Sequence, residues 1–294
     1  MALPIAARRS RPSAASAPPE VAPRWRQRGP LWILEPPATA GGPAAPLVEF
    51  IGGSYLAATP QLSYRRLLEA LAQQGLAIHA WSYVPAFDHQ SQANEAWRAF
   101  RQQRADPSGS DGNAGHPRAV LRLGHSLGCK LHLLAPDGGR SCRGLAALSF
   151  NNFSAERSIP LLAEMGQQLG FRSEFSPSPQ ETLRQVSASY RQNRNLLVRF
   201  QRDELDQSGR LLAALRQRPD DRSELLDLPG DHLTPASAGL RRNLLGDWAD
   251  DPARQRQIET LAQRISRWFG VRDSLGGNRD GSDGSGMKKI REEP

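Results

Sequence analysis

Cysteine is almost absent from this chain of 294 residues, and the two present, Cys129 and Cys142, are too few for a disulfide framework. A reducing compartment is therefore expected, the cytoplasm or, in a photosynthetic eukaryote, the plastid stroma. Long apolar runs are missing as well. Nothing approaches the roughly 18 consecutive apolar residues of a spanning helix, so no transmembrane segment is expected. Lysine is scarce: Lys130, Lys288 and Lys289 stand among 38 basic residues. The net charge of +8 is concentrated at the start of the chain, where residues 1–28 hold six arginines against Glu20. A dense basic stripe with interleaved aromatics is lacking, which argues against a nucleic-acid partner. No pattern calls for a cofactor or a metal.

Both ends lack hydrophobic periodicity. Residues 1–30 are rich in Ala, Pro, Ser and Arg and read as a disordered basic tail. An acid-poor, arginine-rich start also has the composition of an organelle transit peptide, while the apolar core of a secretory signal is lacking. Residues 273–294, with the Gly/Ser/Asp-rich stretch 276–286, read as a flexible tail. One folded domain is expected over residues 31–272.

Within it, short apolar runs alternate with helical patterns. Strands are expected at Leu31–Leu34, Leu47–Ile51, Leu76–Tyr83, Arg118–Leu123, Gly144–Phe150, Asn195–Phe200 and Glu224–Leu228. Tyr64, Leu67, Leu68 and Leu71 share a helical face that Gly75 would close. Further helices are expected at Ala93–Arg104 and Arg256–Phe269, with a polar loop over Asp106–Pro117. This alternation predicts an α/β fold: a mostly parallel sheet flanked by helices on both faces. The interval from Phe150 to Asn195 is too long for a simple crossover and has helical patterns at Ile159–Leu169 and Glu181–Tyr190. A helical lid over about residues 153–194 is expected from it.

The chemistry concentrates at Gly124-His125-Ser126-Leu127-Gly128, where a buried strand gives way to a helix. Small residues around a serine at such a turn permit the strained backbone of a nucleophile elbow. The bare pentapeptide is weak evidence; its worth depends on a base, an acid and an oxyanion loop standing elsewhere in the chain. A serine hydroxyl is a poor nucleophile without a base, and the base needs an orienting group. In the α/β arrangement the order is serine, acid, histidine.

His232 stands in Leu228-Pro229-Gly230-Asp231-His232-Leu233-Thr234-Pro235, a loop directly after the last expected strand. His79 falls in a strand, His116 in the polar loop and His132 on the helix after the elbow. His125 adjoins the serine but is turned away by the geometry of the turn. The acid is expected at Asp203, after the strand Asn195–Phe200, with Asp206 as the fallback and Glu204 behind it; either aspartate could instead cap the next helix. After the preceding strand the chain offers Asn151-Asn152, which cannot carry the needed charge. An oxyanion hole requires two preorganised backbone donors, expected from Leu127 and, in Gly52-Gly53-Ser54-Tyr55, from Gly53. Asp88-His89 lies on the same edge and suits substrate contact or loop capping. Cys129, next to Gly128, suits close helix–sheet packing better than a redox or metal role.

These residues carry a resemblance. Over roughly Leu31 to Phe269 the chain resembles the α/β-hydrolase superfamily. Phe50-Ile51-Gly52-Gly53, Phe87-Asp88-His89, Gly124-His125-Ser126-Leu127-Gly128-Cys129-Lys130, Phe150-Asn151-Asn152-Phe153 and Gly230-Asp231-His232-Leu233-Thr234-Pro235 are similar to an uncharacterised branch of cyanobacteria and plant plastids, a domain of unknown function. The resemblance implies the fold and Ser126, His232 and Asp203 as a candidate triad; it implies no substrate. Three readings are open: a serine hydrolase of carboxylic esters or thioesters, a non-catalytic binding or scaffold protein on the same fold, and an adaptor using the basic tail.

Overall fold

In the computed structural model, residues 24–38, 40, 45–54, 56–106, 118–154, 174–236 and 252–271 are described. They build an eight-stranded sheet in the order β1-β2-β4-β3-β5-β6-β7-β8. Its strands are β1 (Arg26–Arg28), β2 (Leu31–Leu34), β3 (Leu47–Ile51), β4 (Ala77–Trp81), β5 (Val120–His125), β6 (Gly144–Leu148), β7 (Asn195–Phe200) and β8 (Glu224–Leu228). β1 and β2 pair antiparallel at one edge, and every pairing from β4 to β8 is parallel. The sheet thus begins at Arg26, inside the stretch expected to be tail. Its pairing with Ile33 needs only backbone groups, which composition does not reveal.

Helices follow the strands. They are α1 (Pro60–Ser63), α2 (Arg65–Gln73), α3 (His89–Ala105), α4 (Leu127–Leu133), α5 (Pro179–Ser189), α6 (Ser208–Leu215) and α7 (Pro252–Phe269). Strand side chains alternate between faces, and two helical layers receive them. Leu67, Leu68 and Leu71 of α2 and Ile258, Leu261 and Ile265 of α7 close over Val48, Phe50, Ile78, Leu121 and Leu123. On the opposite face Ala93, Ala96 and Phe100 of α3 and Leu127 and Leu131 of α4 meet Ile33, Ile51 and Trp81. Farther along that face, Val186 and Tyr190, from α5 and its end, and Leu211 and Leu215 of α6 pack with Leu145, Ala147 and Leu197. Fully burying side chains of this size contributes about 1.5–3 kcal/mol each before conformational entropy is charged.

This packing bears on the insertion between β6 and β7. Its second helix, expected at Glu181–Tyr190, forms as α5, and Val186 and Tyr190 are core residues. The helix is therefore a crossover packed on the sheet. The pattern at Ile159–Leu169 lies outside the described residues, as do residues 1–23, 107–117 and 272–294. No helix among the described residues is long and apolar enough to cross a membrane.

A polar row crosses the centre of the sheet. His79, Glu49 and Arg122 are register partners on β4, β3 and β5, all on the face covered by α3 and α4. Arg122 Nε lies 3.5 Å from Glu49 and Arg104 Nε 3.3 Å from the other carboxylate oxygen. Arg122 also grips Asp137 with two parallel hydrogen bonds of 2.9 Å. A buried carboxylate is tolerable only with such partners.

Candidate active site

All the candidate side chains stand at the carboxyl ends of parallel strands, where a sheet of this kind carries its ligands. Ser126 separates β5 from α4 with φ 54° and ψ −119°, a conformation that costs a non-glycine residue on the order of 1–3 kcal/mol. The surrounding structure enforces it. The Ser126 N–H donates to the Leu148 carbonyl at 2.9 Å, and Cys129 N–H returns to the Ser126 carbonyl at 3.1 Å. The helix can lie this close to the sheet because of two glycines. A Cβ on Gly124 would come within 2.6 Å of the Cys129 backbone, and one on Gly128 would strike the Ile51 carbonyl. Cys129 itself is buried, its thiol pushed up by burial and pointed at the Leu148 carbonyl.

His232 is held by its own loop. Asp231 N–H donates to Thr234 Oγ1 at 2.8 Å, Leu233 N–H donates to Asp231 Oδ1 at 3.0 Å, and Arg254 of α7 pairs with Asp231 at 3.1 Å. His232 Nε2 then lies 3.1 Å from Ser126 Oγ, and Nδ1 lies 2.9 and 3.0 Å from the two Asp203 oxygens. An ionised carboxylate only accepts, so Nδ1 carries the hydrogen. Nε2 is then the bare nitrogen, an acceptor for the serine hydroxyl.

Asp203 and Asp206 face different partners. The Asp203 carboxylate is fully enclosed and also accepts the Leu205 N–H at 2.9 Å. Burial raises its pKa, but the hydrogen bond and charge of His232, joined by the Ser149 hydroxyl and the Leu205 N–H, together outweigh burial and hold it below the usual range. Asp206 accepts from the Ser208 N–H and hydroxyl at the start of α6, and burial pushes its pKa up. Asn151 and Asn152 brace loops: Asn151 accepts the Phe153 N–H, and the Asn152 amide donates to the Pro179 carbonyl. Asp88 caps α3 through Ser91 N–H. His89 is buried and stacked on Phe175 at 4.3 Å; neither stands in the serine–histidine–aspartate line.

One expected donor is engaged elsewhere. The Gly53 N–H donates to Tyr64 Oη at 2.8 Å, although Gly53 sits against the serine, a Cβ there reaching Ser126 Cβ at 3.1 Å. Leu127, by contrast, opens α4, where backbone N–H groups have no intrahelical acceptor.

Tyr64, expected only as a helix-face residue, joins this region through His125, which was expected beside the serine but without a role. Tyr64 Oη lies 2.7 Å from His125 Nδ1, and His125 Nε2 lies 2.8 Å from the His232 carbonyl. His125 is turned away from the serine hydroxyl, as the elbow dictates, yet its ring centroid is 5.0 Å from that of His232. A buried tyrosine needs a partner for its hydroxyl, but its spacing in the sequence marks it only as a core position.

A family model described as "Protein of unknown function (DUF1350)" matches residues 24–267. The chain belongs to this DUF1350 family. A search of curated proteins gives no significant match. Among solved structures, this DUF1350 chain superposes on carboxyl esterase 2 of Tuber melanosporum with a TM-score of 0.57 at 15% identity, covering 87% of this chain and 89% of that one. An esterase structure from Rhizomucor miehei gives 0.54 at 13% identity, covering 84% and 83%. Dienelactone hydrolase from Anabaena variabilis gives 0.51 at 17% identity, covering 84% and 97%. At such identities the likeness establishes the α/β-hydrolase fold of this DUF1350 member.

Proposed function

We propose that this protein is a serine hydrolase acting on a carboxylic ester or thioester. The observation that carries the reading is the continuous line from Ser126 Oγ through both ring nitrogens of His232 to Asp203, at 3.1 and 2.9 Å. A non-catalytic scaffold would be favoured by a Ser126–His232 separation beyond hydrogen-bond reach, and 3.1 Å is within it. The fold shared with esterases supports the same chemistry.

In this mechanism Ser126 Oγ attacks the acyl carbon as its proton passes to His232 Nε2. The new oxyanion is met by the Leu127 N–H. Collapse breaks the bond to the alkoxide or thiolate, which takes the proton from Nε2 and departs, leaving an acyl-serine. Water then attacks that ester, gives its proton to Nε2, and the second collapse returns the proton to Ser126 and frees the acid. Asp203 holds the productive tautomer and stabilises the imidazolium throughout. These steps call on no cofactor. Within the insertion expected as a lid over about residues 153–194, α5 contributes Val186 to the core instead. Two free, buried thiols support a reducing compartment.

The test is labelling by a fluorophosphonate probe. The expected adduct is one phosphonyl group on the peptide containing Ser126, absent from Ser126→Ala. Folded wild-type protein that takes up no probe at Ser126 overturns the reading.

A further inference from the structure

His125 is 1% exposed and is hydrogen-bonded at both ring nitrogens, so its hydrogens can be assigned. The His232 carbonyl is an acceptor only, hence Nε2 carries the hydrogen across the 2.8 Å contact. In a neutral ring Nδ1 is then bare, and it accepts from the Tyr64 hydroxyl at 2.7 Å. That leaves the Tyr64 oxygen free to accept the Gly53 N–H at 2.8 Å. The chain of donors runs one way, from Gly53 to Tyr64 to His125 to the backbone of His232, and every group is satisfied. Burial, with the neighbouring His232 second, pushes the pKa of His125 down to about 3, consistent with the neutral ring that this assignment needs.

The line joins the two loops that flank the serine. One end is the turn after β3, with Gly53 against Ser126; the other is the loop that carries His232. Both are tied to the residue immediately before the serine, so a single rigid element sets the positions of nucleophile, base and glycine turn together. His125 makes no hydrogen bond to Ser126 Oγ and is sealed from solvent, so it does not touch substrate.

We propose that His125, oriented by Tyr64, is a positioning residue that fixes the His232 backbone so that its Nε2 faces Ser126 Oγ. This rests on the hydrolase reading for its consequence in turnover, but the geometric claim has its own readout. Small displacements of a catalytic group cost up to about 100-fold in rate, whereas binding of the acyl group does not depend on His125.

The experiment compares His125→Phe, which keeps a ring and loses both hydrogen bonds, with His125→Gln, which retains an amide donor for the His232 carbonyl, and with Tyr64→Phe. Turnover of a p-nitrophenyl acyl ester is measured alongside the downfield NMR signal of the His232 Nδ1 proton, recorded in a Ser126→Ala background. Expected for His125→Phe is a loss of about 10–100-fold in kcat, KM changed by less than about threefold, and a broadened or missing signal. His125→Gln recovers most of both, and Tyr64→Phe falls between, near the loss of about 5–10-fold for one hydrogen bond. Folded His125→Phe with wild-type kcat and an intact signal overturns the proposal, as does Gln proving no better than Phe. Should His125→Phe not fold, folded Tyr64→Phe with wild-type kcat and signal overturns it. Folded wild-type protein that takes up no fluorophosphonate at Ser126, yet whose His232 signal still depends on His125, refutes the hydrolase reading alone.

Discussion

His232 Nδ1 sits within 3.0 Å of both oxygens of the enclosed Asp203 carboxylate, while Asp206, three residues on, bonds only Ser208 among the described residues. The two carboxylates therefore have separable roles. Asp203→Asn presents an amide to the ring and favours the wrong tautomer, so ester turnover should fall by about 10⁴-fold. Asp206→Asn should change turnover only severalfold and act mainly on the stability of α6. Steady-state kinetics on the two variants decides between them; equal losses would contradict the separation.

The close seating of α4 on β3 makes a second expectation. Gly128→Ala puts a methyl group against the Ile51 carbonyl, and that backbone cannot move without disturbing the centre of the sheet. A destabilisation of about 1–3 kcal/mol or more is expected, seen as a lower urea midpoint. Gly209→Ala, where a Cβ would meet no heavy atom within 4 Å, is the control and should be neutral or slightly stabilising.

Arg122 is the shared cation of Glu49 and Asp137, 2% exposed against 1% for Glu49. Arg122→Met leaves a buried carboxylate short of one partner, and a loss of about 3–5 kcal/mol is expected from urea unfolding. Adding Glu49→Gln should recover part of that loss, because the uncompensated charge goes with it. If the double variant is no more stable than the single one, the cost lies in packing instead.

Four buried histidines set the response to acid. His79, His89, His125 and His132 are each pushed down to about 3, chiefly by burial, whereas an unfolded chain takes up protons near 6.5. Between these values the unfolded state binds more protons than the folded one. Stability should therefore be full above pH 6.5 and decline as pH falls toward 3, each histidine adding about 1.4 kcal/mol per pH unit well inside that window. Urea midpoints at pH 7 and pH 5 check it; equal midpoints would contradict it.

Local patterning marked out most of the architecture. Apolar runs at Leu47–Ile51 and Asn195–Phe200, the helical spacing of Ile258, Leu261 and Ile265, and glycines flanking Ser126 all act within a few residues, so periodicity and sterics make them readable. The order of Ser126, Asp203 and His232 was readable for the same reason, each lying just past a strand. Contacts between distant segments were not. Whether Asp203 or Asp206 meets His232 depends on how far the turn after β7 carries each carboxylate, and both have the same spacing signal. The diversion of the Gly53 N–H to Tyr64, and the tie from His125 to the His232 carbonyl, join residues 11 and 107 positions apart. Such pairings exist only once the sheet has set the ends of β3 and β5 side by side and the loop after β8 reaches back to them across β6 and β7, because a buried hydrogen bond is chosen by geometry among many chemically equal partners.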